Sequence, residues 1–145
     1  MALKYRAAIL CATIAALAAA LSYLRDPPWL ATMTSGIRGR SEVANGVRYR
    51  WTSGHASFFV PSSAPAIAIP LRSPATARDP FPVVATISID DRLATRVTLG
   101  GEEWTRVWLR LPPPGSRRLR RIDIRVFPTR EDYHGAQVAD VEVSR

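Results

Sequence analysis

The sequence is poor in the residues that most often carry chemistry, since its 145 residues include one cysteine, one lysine and two histidines. Cys11 lies inside the hydrophobic N-terminal segment, so the rest of the chain has neither a disulfide nor a thiolate metal site. His55 and His134 have no second ligand at the spacing of a zinc site. No metal and no other cofactor is therefore predicted.

Enzyme signatures are also missing from the sequence. There is no Gly-x-Ser-x-Gly elbow and no glycine-rich loop that would cradle a phosphate. The acidic pairs fall at predicted turns, where carboxylates are expected for solvation; they are Asp90-Asp91, Glu102-Glu103 and Glu131-Asp132. The chain is therefore predicted not to be an enzyme. An envelope hydrolase is the alternative, and it requires His55 or His134 beside a carboxylate in a cleft.

Long hydrophobic runs are limited to one, which extends without a charge from Ala7 to Leu24. Its length is at the lower end of what crosses a bilayer as a helix. Lys4 and Arg6 precede it, and such a positive flank stays in the cytoplasm while the following chain is exported. Residues 1–24 are therefore predicted to be a membrane anchor or a signal peptide that contacts the lipid bilayer through residues 7–24.

Two features of this segment favour different outcomes. Tyr5, Tyr23 and Trp29 bracket the run where interfacial aromatic residues occur in membrane helices, which favours an anchor. The Ala18-Ala19-Ala20 stretch matches a signal-peptide cleavage site. The prediction is a single-pass protein of the inner (cytoplasmic) membrane with its C-terminal domain outside the cytoplasm. If the segment is cleaved, the protein is periplasmic or secreted.

The basic residues are almost all arginine and give the chain a net charge of +8. From Arg25 onward eighteen arginines face twelve acidic residues, which leaves +6 and favours anionic partners. The densest cluster consists of Arg117, Arg118, Arg120 and Arg121. Behind an export segment its partners would be anionic lipid headgroups, acidic glycans or a protein, and not nucleic acid. A solvated strand end is the commoner explanation of such a cluster.

The rest of the chain divides into a linker and a β-rich domain. Residues 25–46 are predicted to be a linker, because Asp26-Pro27-Pro28 stops a helix and the following residues show no periodicity. Residues 47–145 contain short runs that alternate between apolar and polar side chains, separated by turn residues. This pattern predicts an all-β, two-sheet antiparallel sandwich of jelly-roll type, preceded by one N-terminal hydrophobic helix. Eight strands are expected, near residues 47–52, 56–60, 66–72, 83–90, 93–99, 104–111, 121–127 and 137–143.

The sixth predicted strand is the best candidate for a ligand-binding surface. Because successive side chains of a strand point to opposite faces, Val107, Leu109 and Leu111 are predicted to face the core. Tryptophan and arginine side chains then share the opposite face, where the rings can stack on a sugar and the guanidinium groups can bind its hydroxyl or acidic groups; they are Trp104, Arg106, Trp108 and Arg110. The favoured alternative is that the tryptophans pack under a neighbouring segment with the arginines stacked on them.

Several short segments of the sequence resemble those of one kind of bacterial domain. They are Asp26-Pro27-Pro28-Trp29-Leu30, Arg50-Trp51-Thr52, Ala56-Ser57-Phe58-Phe59-Val60-Pro61, the Trp104 strand and Arg121-Ile122-Asp123-Ile124-Arg125-Val126. The chain from Leu21 onward resembles the extracytoplasmic β-sandwich tail of bacterial polytopic glycosyltransferases that use lipid-linked sugars. The membrane domain and the acidic catalytic loop of that family are missing from this sequence, so the transferase activity does not carry over.

The resemblance implies an extracytoplasmic accessory domain that is carbohydrate-binding-like. Together with the anchor, it predicts a membrane-anchored module that binds a glycan or assists a separately encoded polytopic glycosyltransferase. Two alternatives stay open. The first is a structural or protein-interaction subunit without a ligand, and the second is the envelope hydrolase described above.

Overall fold

The computed structural model describes residues 2–144, with side chains from Tyr5 onward. Met1, Arg145 and the side chain of Lys4, which belongs to the predicted positive flank, lie outside the described part. The chain forms two compact units, residues 1–30 and residues 31–145.

The first unit is dominated by one helix, α1 (Ala2–Arg25), whose described side chains are exposed. Within the described residues, one helix is long and apolar enough to cross a membrane, and it is this one. The predicted N-terminal hydrophobic helix is thereby confirmed. A signal sequence has the same length and composition, so the helix itself is compatible with both predicted outcomes. A short 3₁₀ helix, Pro28–Thr32, follows it.

The second unit is an antiparallel β-sandwich, which confirms the predicted fold class. Its strands are β1 (Thr34–Ala44), β2 (Val47–Pro61), β3 (Ala66–Arg72), β4 (Val83–Ile89), β5 (Arg92–Leu99), β6 (Thr105–Arg110), β7 (Leu119–Phe127), β8 (Gln137–Ala139) and β9 (Glu142–Val143). They are hydrogen-bonded in the order β5-β4-β7-β2-β8-β3-β6, with β1 on β2 and β9 on β3.

Strand β2 belongs to both halves of this curled sheet. Its C-terminal half, from His55 to Pro61, pairs with β7, and Tyr49 to Trp51 pair with β8. We call the half formed by β5, β4, β7 and the end of β2 sheet I. The half formed by β6, β3, β8 and the start of β2 is sheet II. The sequence pattern predicted a break at Ser53-Gly54, but the strand continues through these residues and changes sheet there.

The change of sheet in β2 is held by the segment between β7 and β8. Thr52 is fully buried and bonds this segment in both directions. Its amide donates to the Ala136 carbonyl at 2.8 Å, its carbonyl accepts from the Gly135 amide at 2.8 Å, and its hydroxyl oxygen accepts from the Ala136 amide at 2.9 Å. Gly135 is required here, because a Cβ would overlap the Ser53 carbonyl. β2 and the β7–β8 segment therefore pass from one sheet to the other at the same place.

One hydrophobic core lies between the two sheets. Its fully buried members come from β3, β4 and β7; among the largest are Ile67, Ile69, Leu71, Ile87, Ile122 and Ile124. The alternation predicted for the fourth and seventh runs is confirmed, since Ala85, Ile87 and Ile89 are buried in β4. Asp123 is also buried, although its alternation placed it on the outer face.

The predicted linker, residues 25–46, is corrected by the structure, because residues 34–44 form β1. This strand has no buried residue, and register shifts interrupt its pairing with β2. Its stability comes from pairing with a partner strand and not from apolar alternation, so no local pattern predicted it. Gly36 marks one irregularity, with φ +64°.

We predict that Gly36→Ala destabilises the sandwich by about 2 kcal/mol or more. Its φ is positive, and a Cβ would overlap the backbone carbonyl of His55, which cannot move without disturbing β2. Gly39→Ala in the same strand is the matched control, since no atom lies within 4 Å of its Cβ position. Urea unfolding followed by circular dichroism should show a lower midpoint for Gly36→Ala alone. Equal midpoints for the two variants would contradict this account of β1.

Candidate functional site

Strand β6 presents the alternation that its sequence predicts. Val107 and Leu109 are buried, while Arg106, Trp108 and Arg110 are exposed on the opposite face. β6 pairs with β3 on one side and ends the hydrogen-bonded order of the sheet on the other. Its outward side chains therefore lie at the margin of sheet II.

Trp104 directly precedes β6 and is partly buried in an aromatic cluster. Its ring centroid lies 5.9 Å from that of Tyr49, which in turn lies 6.1 Å from the ring of Trp51. The Arg72 guanidinium sits 6.0 Å from the Trp104 ring centroid. Trp104 is therefore packed against neighbouring side chains, which was the favoured alternative to ligand binding. The residue is only partly buried and also lines a groove.

Polar groups fix this aromatic cluster in place. The Tyr49 hydroxyl donates to Glu42 Oε2 at 2.8 Å, and Arg72 forms an ion pair with Glu102. The Nε and Nη1 atoms of Arg72 and the indole Nε1 of Trp104 are buried without a hydrogen-bond partner among the described residues. The site thus holds donors that its own side chains do not use.

A groove opens beside Trp104 on the outer face of sheet II, with a volume of about 560 Å³. We call it the Trp104 groove; it is lined by Val47, Arg48, Pro70, Trp104, Arg106, Ala139, Asp140 and Glu142. Arg106 Nη2 lies 2.9 Å from Glu142 Oε1, and both side chains are about half exposed. An aromatic ring, two guanidinium groups and two carboxylates therefore line one depression.

Trp108 lines a different depression, of about 450 Å³. We call it the Trp108 cleft; it is lined by Ile89, Arg92, Leu93, Ala94, Thr95, Trp108, Leu109, Arg110 and Pro112. It lies between the start of β5 and the end of β6. The Trp108 ring is 62% exposed, so no neighbouring segment covers it.

The four predicted ligand-binding residues are thus divided into two pairs. Trp104 and Arg106 line the Trp104 groove, whereas Trp108 and Arg110 line the Trp108 cleft. Trp104 and Trp108 are four positions apart along an extended chain, about 13 Å, so they do not form one continuous stacking platform. Glu142, which lines the groove, and Tyr49 and Arg72, which contact Trp104, were not predicted, because only long-range strand pairing brings them there.

The predicted anionic-partner cluster has a mixed environment. Arg120 pairs with Asp90 at 2.7 Å, and Arg121 pairs with both Asp91 and Asp123. Arg117 and Arg118 are exposed in the segment that precedes β7. Binding of an anionic partner by this cluster stays a prediction.

The two histidines lie in different surroundings. His55 Nε2 lies 3.1 Å from Asp123 Oδ1, so this histidine has the neighbouring carboxylate that the hydrolase alternative requires. His55 lines neither the Trp104 groove nor the Trp108 cleft. The His134 ring stacks on Trp51 at 4.5 Å. Among the described residues, no group of three or more His, Cys, Asp or Glu could hold a metal ion.

The sandwich is similar in fold to solved carbohydrate-binding modules. A family 35 carbohydrate-binding module from Clostridium thermocellum superposes with a TM-score of 0.52 and 11% identity, over 78% of this chain and 92% of the module. A family 35 module from an environmental isolate gives 0.50 and 14%, over 78% of this chain and 85% of the module.

A catalytic protein also contains a similar region. Salicylyl-acyltransferase SsfX3 from a tetracycline biosynthetic pathway superposes with a TM-score of 0.50 and 13% identity. The match covers 77% of this chain but only 36% of the acyltransferase. No protein-family model and no curated protein matches the sequence. These likenesses show the β-sandwich fold.

The rigidity of the aromatic cluster gives a prediction for alkaline pH. Burial raises the pKa of the Tyr49 phenol above its ordinary value of 10.0, and the hydrogen bond and charge of Glu42 raise the pKa further, while Arg72 lowers it. The folded state therefore favours the protonated phenol, so this contribution to stability is present below pH 10.0 and is lost as the pH rises above it.

An ultraviolet titration of phenolate formation should show one late-titrating tyrosine that is absent from Tyr49→Phe. A titration curve for Tyr49→Phe that keeps the late step would contradict the buried environment of Tyr49.

Proposed function

We propose that this protein is a membrane-anchored, extracytoplasmic β-sandwich module that binds a glycan in the Trp104 groove. One observation carries the proposal: a partly exposed tryptophan, held from behind by Tyr49 and Arg72, faces a groove with the Arg106–Glu142 ion pair on its margin. The module-type fold supports the same interpretation.

The Trp104 ring offers the apolar part of such a site. The face of a sugar ring that carries C–H groups is apolar and can stack on an aromatic side chain. A ring that is already packed against Tyr49 loses little conformational freedom when a ligand binds.

Charged groups supply the polar part of the site. Sugar hydroxyls both donate and accept hydrogen bonds, so they can bind Arg106 on one side and Glu142 or Asp140 on the other. Hydrogen bonds to charged groups contribute about 1.5 to 3 kcal/mol each when they exclude water. The groove volume of about 560 Å³ lies within the ordinary range for small-ligand sites.

The glycan site is tested by substitutions that keep the fold. Arg106→Gln and Glu142→Gln remove the charges at the margin but leave the Trp104 packing intact. We expect each to weaken retention on an immobilised panel of bacterial envelope glycans by about tenfold, because a charge-assisted hydrogen bond is lost. The measurement is affinity electrophoresis or surface plasmon resonance with the purified full-length protein.

Two control variants make this test specific. Arg96→Gln removes an exposed strand arginine of sheet I and should leave retention unchanged. Trp108→Ala removes the most exposed tryptophan outside the groove and should also leave it unchanged. Loss of retention with Trp108→Ala, but not with Arg106→Gln, would move the site to the Trp108 cleft and overturn the proposal.

The anchored location and the partner form the second part of the proposal. α1 is long and apolar enough to span a bilayer and is followed by a compact sandwich. The aromatic residues Tyr5, Tyr23 and Trp29 are exposed at the two ends of its apolar run, as in interfacial belts. The sequence resemblance to glycosyltransferase tails supports a role beside a separately encoded transferase that uses lipid-linked sugars.

The mature N-terminus decides between an anchor and a cleaved signal. We expect the protein from native membranes to retain residues 1–24, to resist extraction by alkaline carbonate, and to expose the sandwich to protease added from outside the cytoplasmic membrane. The measurement is N-terminal sequencing together with protease accessibility in spheroplasts. A mature chain that begins at Leu21 would rule out the anchor, and protection of the sandwich from protease would rule out export.

A further inference from the structure

We infer that one end of the sandwich docks on an anionic lipid surface, with Arg92, Arg110 and Arg117 binding lipid phosphates and Trp108 entering the headgroup layer. This inference goes beyond glycan binding and uses none of the residues of the Trp104 groove. It rests on the proposed anchor only for the nearness of a membrane.

The strand pairing assembles this surface from distant parts of the sequence. β2, β4 and β6 end there, and β3, β5 and β7 begin there. We call it the basic end; its connecting segments and adjoining strand ends contain Arg92, Arg110, Arg117, Arg118, Arg120 and Arg121, and its acids are Asp90, Asp91 and, in β9 beside the start of β3, Glu142. Sequence reasoning predicted four of these arginines, whereas Arg92 and Arg110 join them through the fold.

The acids of the basic end do not neutralise all of its arginines. Asp90 and Asp91 pair with Arg120 and Arg121. Arg120 also donates to the carbonyl oxygens of Pro112 and Pro113, so its guanidinium is used within the protein. Arg92, Arg110 and Arg117 are exposed, and no ion pair or hydrogen bond engages them among the described residues. Three guanidinium groups are therefore available to phosphate oxygens.

The opposite end of the sandwich has a different charge pattern. Its acids are Asp79, Glu102, Glu103, Glu131 and Asp132. Its arginines are engaged: Arg72 with Glu102, Arg78 with Glu131, Arg38 with the Asp132 carbonyl, and Arg130 with backbone carbonyls of Ser73, Asp79 and Phe81. These four arginines of the opposite end are engaged, whereas Arg92, Arg110 and Arg117 at the basic end are not, and this difference favours one orientation of the domain in the field of an anionic surface.

The Trp108 cleft adds an apolar element to the basic end. Trp108 and Leu93 are 62% and 58% exposed, and Arg92 and Arg110 line the same cleft. Tryptophan prefers the membrane–water interface, where its ring sits at the level of the headgroups. Arginine can lay its aliphatic stem along such apolar surface while its guanidinium reaches a phosphate. This combination is the composition of a membrane-surface contact.

The chain also enters the sandwich near this end. Thr34, the first residue of β1, pairs with Phe58, three residues before β2 ends. Eight residues lie between Arg25 at the end of α1 and Thr34, and this connection can span at most about 30 Å when fully extended. If α1 is anchored, a connection of this length allows the basic end to reach the lipid headgroups.

The test uses the full-length protein in lipid nanodiscs made of phosphatidylcholine alone or mixed with phosphatidylglycerol, each containing brominated lipids. Bromine quenches tryptophan fluorescence at short range. We expect the quenching to be greater in the anionic discs, to fall at high salt, and to lose this lipid dependence in Trp108→Phe. Trp104→Phe, which alters a ring of the groove, should keep the dependence.

A triple variant tests the arginines. Arg92→Gln/Arg110→Gln/Arg117→Gln should abolish the difference between the two lipid mixtures, since each surface arginine contributes about fivefold to such binding. The matched control, Arg40→Gln/Arg96→Gln/Arg125→Gln, removes the same charge from exposed strand positions and should retain most of the difference. Equal quenching in both lipids, or equal loss in both triple variants, overturns the inference.

The lipid-docking inference can be tested even if the proposed membrane anchor or glycan site is wrong. If residues 1–20 are cleaved, the anchor fails, and the mature protein is assayed by flotation with vesicles of the same two compositions. The variants should then rank in the same order. If the arginine triple variant instead binds vesicles normally but loses retention on an acidic glycan, the basic end binds glycan and not lipid.

Discussion

The bend of β2 at Thr52 is the constraint on which the sandwich depends. A single 15-residue strand supplies one strand to each sheet, so the two sheets can close over a core only if the chain changes direction at Thr52 to His55. Three hydrogen bonds to Gly135 and Ala136 impose that change, two of them through the backbone. The β7–β8 segment therefore acts as a clamp on β2, and it must itself pass from sheet I to sheet II at the same end of the sandwich.

This clamp has a consequence for the outer face of sheet II. Because β2 and β8 enter sheet II together, Tyr49 is brought beside β3 and the start of β6, next to Arg72 and Trp104. Trp104 then packs on a neighbour that is 55 positions away in the sequence, and Glu142 of β9 arrives beside Arg106. The Trp104 groove is thus a product of topology. Its stacking ring is stiff because the same packing that forms the groove also buries the back of the ring.

The alternation of apolar and polar residues was sufficient to predict the strands that turn one face to the core. The alternation in 83–90 and 121–127 predicted β4 and β7 because one face of each meets the core, and residues 66–72 match β3 throughout. β1 escaped prediction because an edge strand without a buried residue leaves no periodic signal. The sequence also did not predict that the Trp104–Arg110 face is divided between two depressions. Alternation assigns side chains to a face but does not say which neighbours surround each of them.

The arginines show the same limit in the electrostatics. Composition assigns the excess positive charge to the chain as a whole, and a cluster in the sequence suggests one place for it. Pairing decides otherwise: Arg120 and Arg121, at the centre of the sequence cluster, are partly neutralised by Asp90, Asp91 and Asp123. Arg92 and Arg110, which lie apart in the sequence, carry unpaired charge beside Trp108. A surface field is set by charges that lack a nearby counter-charge, so the relevant basic surface of this protein is defined by its fold and not by the run of arginines that is visible in the sequence.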